Sequence, residues 1–63
     1  MKPTEIEIGK CYKHTIIGPT WPQAIEGKYI WYQNLLGTMC LGLSEYYAED
    51  VEGPITQVEV PNA

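Results

Sequence analysis

Arginine and phenylalanine are absent from this chain of 63 residues, lysine is absent after position 28, and cysteine occurs twice. Without arginine there is no planar guanidinium for bidentate phosphate contacts, and four lysines against eight acidic residues offer a polyanion little attraction. Direct nucleic-acid binding is therefore disfavoured. Cys11 and Cys40 are too few for a disulfide scaffold and allow one intramolecular bond, so reduced thiols are the expected state. Long apolar runs are missing too. Lys2, Glu5, Glu7, Lys10 and Lys13 interrupt the opening segment, which predicts neither a signal peptide nor a membrane span, and hence a cytoplasmic protein.

What is present favours a compact fold. Apolar residues make up 44% of the chain and charged residues 19%, a balance too apolar for a disordered tail. Two tryptophans and five tyrosines supply large surfaces to bury. The length gives room for one domain, residues 1–63, around one small core. Charge divides unevenly. Residues 1–28 carry four lysines and three carboxylates, a balance of +1, while residues 29–63 carry five carboxylates and no base, a balance of −5; together these give −4. Such asymmetry concerns partners, not fold, and directs attention to the acidic half.

Glycine and proline cut the chain into short pieces. Residues 10–17 alternate as a strand, with Tyr12, His14 and Ile16 on one face and Cys11, Thr15 and Ile17 on the other. Pro19 and Pro22 around Trp21 predict a loop whose tryptophan either folds back on the core or lies exposed. Residues 28–36 give the strongest strand signal, with Tyr29 and Trp31 on one face and Ile30 and Tyr32 on the other. A turn is expected at residues 34–37. Met39, Leu41 and Leu43 then alternate with Cys40, Gly42 and Ser44, placing the large residues inward, and Gly42 suits a bulge or bend. Residues 44–53 admit two readings: a two-turn helix begun by Ser44, or a strand continued through Tyr47 followed by a single helical turn at residues 48–51. The unbroken alternation from Met39 to Tyr47 favours the second. Residues 55–60 form the expected last strand, ended by Pro61.

The opening Gly9-Lys10-Cys11-Tyr12-Lys13-His14, the central Lys28-Tyr29-Ile30-Trp31-Tyr32, and the segment from Glu45 to Pro54 before Thr56-Gln57-Val58-Glu59-Val60 together resemble small SH3-like barrels. The resemblance implies an all-β fold of about five short strands with one short helical turn before the last. It also implies kinship with small phage and prophage proteins that bind a host protein. The expected interior uses Ile16, Ile30, Tyr32, Met39, Leu41, Leu43, Val51, Val58 and Val60.

Cys11 and His14 have C-x-x-H spacing, half of a zinc site, and Cys40 with Glu45 or Asp50 would be needed to complete it. A second close ligand pair is missing, so no metal and no cofactor are expected. A Cys11 nucleophile served by His14 lacks an orienting third group and an oxyanion site, so no catalytic residues are expected and the chain reads as a non-enzyme. The aromatics carry more weight. Trp21, Tyr29, Trp31, Tyr46 and Tyr47, with Glu49, Asp50 and Glu52, form the expected partner surface, because exposed Trp and Tyr anchor interfaces and acidic residues steer toward a basic groove. The expected function is a non-enzymatic protein-binding module, a small phage-type inhibitor or modulator of a host protein. The alternative is an SH3-like subunit of a nucleic-acid complex whose partner supplies the basic charge. An uncovered barrel edge would also offer a route to a homodimer.

Overall fold

A computed structural model describes residues 1–56 of the chain. The fold is all-β, as expected: β1 (Cys11–His14), β2 (Gly18–Glu26), β3 (Tyr29–Gln33), β4 (Met39–Leu43) and β5 (Val51–Ile55), with one helix, α1 (Ser44–Asp50), between the last two strands. A single 3₁₀ turn, Pro3–Glu5, precedes them. The strands form an antiparallel sheet in the order β4-β3-β2-β1-β5. The expected strand at residues 55–60 lies outside the described residues from Gln57 onward, and with it Val58, Val60 and Pro61.

The segment expected to be a loop is instead the longest strand, β2. Its prolines fit because β2 divides its pairing. Gly18, Pro19 and Thr20 pair with β1, whereas Trp21 to Glu26 pair with β3. Each stretch thus has a ladder on one side only, which is where a residue lacking an N–H is tolerated. The register with β3 also slips between Pro22 and Ala24, bending the strand at the second proline. Trp21 is buried, at 1% exposed, although its pairing with Gln33 sets it on the face of β3 that carries Tyr29 and Trp31, apart from the main cluster.

The core comprises Ile6, Tyr12, Ile30, Tyr47, Ala48 and Val51, with Tyr32 packed at its edge and Cys11, Thr20, Trp21 and Pro22 also buried. Full burial of a side chain such as Ile30 contributes about 2–3 kcal/mol. Two parts of the expected interior are corrected. Ile16 is 83% exposed, because β1 ends at His14 and its ring Nδ1 accepts the backbone N–H of Ile16 at 3.1 Å, closing a turn where alternation was expected to continue. Met39, Leu41 and Leu43 are exposed as well. Their orientation follows from register: Tyr32 pairs with Cys40 and Ile30 with Gly42, so the small residues of β4 share the inner face of β3. Gly42 marks no bulge; a Cβ there would lie 3.7 Å from the Tyr32 ring, so the glycine lies beneath that aromatic.

The preferred reading of residues 44–53 is corrected too. The chain leaves the strand at Ser44, whose N–H and Oγ both donate to the Lys28 carbonyl, at 2.9 and 3.1 Å. The helix then buries Ser44, Tyr47 and Ala48, a spacing of three and four that is helical. Seven residues are too few for a helix to persist alone, so its stability comes from this buried face. The turn expected after β3 is present. Asn34 Oδ1 accepts the N–H groups of Leu36 and Thr38, each at 3.0 Å, and Gly37 takes the left-handed conformation.

Candidate functional site

Two surfaces result from these elements. The first is the outer face of β3 and β4. Opposed residues on paired strands lie on the same face, and the register sets Tyr29 against Leu43, Trp31 against Leu41 and Gln33 against Met39. All five apolar members of these pairs are exposed, Leu41 to 53%. On the other flank of β3, Ala24 and Glu26 of β2 pair with Trp31 and Tyr29. Lys28 Nζ lies 5.6 Å over the Tyr29 ring at the turn. The outcome is a row of large apolar side chains along one face of a strand pair. Beyond it, β4 has no neighbouring strand among the described residues.

The second is a cleft of about 300 Å³ beside α1, lined by His14, Tyr32, Gly42, Leu43, Tyr46, Tyr47 and Asp50. Tyr32 and Tyr47 pack at 4.7 Å between ring centroids, tilted by 36°. Tyr47 is anchored through its hydroxyl, 2.6 Å from Thr20 Oγ1, and its burial pushes the phenol up to about 12. Burial, then the neighbouring Cys40 and Asp50, also raise the Tyr32 phenol. Both rings therefore stay neutral at physiological pH. His14 Nδ1 accepts backbone N–H groups, which leaves Nε2 as the protonated nitrogen of the neutral ring; it lies 3.9 Å from Asp50 Oδ2.

The expected partner residues distribute unequally. Tyr29 and Trp31 lie on the outer β3 face, as their alternation indicated, and Tyr46, Glu49 and Glu52 are exposed on α1 and β5. Asp50 is half-exposed at the cleft. Trp21 and Tyr47 are corrected: both are buried, the second in keeping with the helical period of α1, so neither is available as an exposed anchor. Met39, Leu41, Leu43, Tyr32 and His14 were not assigned to a partner surface. Pairing the small residues Cys40 and Gly42 with the bulky inner face of β3 is the sequence signal that would have turned Met39, Leu41 and Leu43 outward.

The thiols have separate surroundings. Cys11 is buried, and burial pushes its thiol up, away from the nucleophilic thiolate. Cys40 is half-buried on β4, with β3 and β2 between it and β1 in the sheet order, so the two are not on adjacent strands. Among the described residues, no helix is long and apolar enough to cross a membrane, and no three His, Cys, Asp or Glu side chains converge as metal ligands. Compared with known proteins, the chain matches no family model, no curated protein and no solved structure.

Proposed function

We propose that the chain is a protein-binding module with an SH3-like build, which docks a partner protein on the outer face of β3 and β4. The observation that carries this reading is the exposed row of Tyr29, Trp31, Met39, Leu41 and Leu43. A tryptophan and a tyrosine flanked by aliphatic side chains make the anchors that dominate protein interfaces. The SH3-like part is supported by the strand order, with β5 returning beside β1, and by the short helix between β4 and β5. The partner's chemistry follows from charge. Residues 29–43 carry no charge, Lys28 lies over the Tyr29 ring at one end, and Glu45, Glu49, Asp50 and Glu52 belong to α1 and β5, so the fitting surface is an apolar patch whose lysine or arginine residues face those two elements. The chain acts by covering that patch, the manner of a small phage-type inhibitor or modulator, with no chemical step of its own.

The test compares wild type with Leu41→Glu, a change at an exposed position expected to leave the far-UV circular dichroism unaltered. The partner is captured from lysate, purified and titrated against both. Leu41→Glu should weaken binding at least about tenfold, and raising salt should weaken wild-type binding. Equal affinity of the two forms sinks the reading. So does a wild-type dimer in solution that Leu41→Glu converts to monomer with no heterologous partner retained, because the occupant would then be a second copy.

A further inference from the structure

We infer that the cleft beside α1 seats the guanidinium group of an arginine presented by the partner. The inference rests on the protein-binding reading and names the chemistry of a second contact in it. Its walls supply what a cation needs. Tyr32, Tyr46 and Tyr47 bring aromatic rings to one cleft, and the faces of such rings are electronegative. Asp50 is the one carboxylate in the lining. Among the described residues its only ion-pair partner within 4 Å is His14, a cation only when protonated.

The cation must come from outside. No lysine lines the cleft, and the chain contains no arginine. At about 300 Å³ the space suits the head of a side chain better than a large organic cofactor. Arginine fits better than lysine because a planar guanidinium can lie against a tyrosine face while offering two parallel N–H groups to one carboxylate. Tyr46, 62% exposed, leaves the cleft approachable from solvent.

The experiment uses the full chain and three small probes: Nα-acetyl-arginine methylamide, its neutral isostere Nα-acetyl-citrulline methylamide, and the lysine counterpart. Side-chain NMR signals are followed during titration. The arginine compound should shift the ring signals of Tyr32, Tyr46 and His14 and saturate in the millimolar range, with citrulline at least about tenfold weaker. Asp50→Asn and Tyr46→Ala, both at accessible positions and checked by circular dichroism, should each weaken the arginine titration about fivefold or more. Citrulline binding as well as arginine, tighter lysine binding, no effect of Asp50→Asn, or no shift up to about 50 mM arginine would each overturn the assignment. The two proposals fail separately. If arginine leaves the cleft signals unmoved while Leu41→Glu still weakens partner binding, the cleft assignment falls and the β3–β4 face survives; the reverse result removes the face alone.

Discussion

Thr20 Oγ1 serves two buried partners at once. It donates to the Tyr12 carbonyl at 2.9 Å, so the Tyr47 phenol, 2.6 Å away, must donate to it. Valine has nearly the same shape and no hydroxyl. Thr20→Val therefore leaves the Tyr47 hydroxyl unpartnered in the interior, which costs roughly 1–3 kcal/mol. Urea denaturation should show that loss as a lowered midpoint with unchanged slope, while a midpoint equal to wild type would mean the pair contributes nothing. At this scale the sequence was readable where a side chain's setting is decided by its own strand, as with Tyr29 and Trp31 outside and Ile30 inside. It was not readable where a distant element decides. Nothing around Tyr47 reveals that Thr20, far away in the chain, meets its hydroxyl.

Among the elements, β5 is the one most constrained by a single residue. Gly53 has φ of +138°, and a Cβ there would approach the Ile55 nitrogen to 2.9 Å and Tyr12 Cδ1 to 3.3 Å. Gly27, also at positive φ, has nothing within 4 Å. Gly27→Ala should therefore cost about 1 kcal/mol from backbone conformation alone, and Gly53→Ala more, on the order of 2–4 kcal/mol, because steric conflict with backbone is added. Thermal melts of the two variants provide the check; equal losses would show that the β5 contact yields freely. The elements that sequence reasoning placed well are those with local signals, such as the aromatic strand β3 and the asparagine-glycine turn after it. It misjudged β4 because alternation says which residues share a face and is silent on which face is inside. It misjudged α1 because the period-two pattern across Leu43 and Tyr47 coincides with the helical spacing of Ser44, Tyr47 and Ala48.

For the molecule as a whole, the buried tyrosines tie stability to alkaline pH. The Tyr47 phenol is pushed up to about 12 by burial, above its unfolded value near 10, so the native state holds that proton more tightly. The resulting stabilisation is complete below about pH 10 and is lost as pH rises through 12. Denaturation at pH 8 and pH 11.5 should show a clear fall, accompanied by late-titrating phenol absorbance; a constant midpoint over that interval would contradict it. The all-β class and the presence of exposed aromatic residues were legible in the sequence, since both follow from composition and turn residues. The partition of inside from outside was not, because in so small a molecule one strand's register redirects several of its largest side chains. The divided strand β2 has one more effect, felt when the chain is not folded. Cross-β stacking needs an uninterrupted row of backbone donors, and Pro19 and Pro22 remove two within four residues. The strand that joins the two halves of the sheet thus also denies the unfolded chain its longest candidate segment for a fibril.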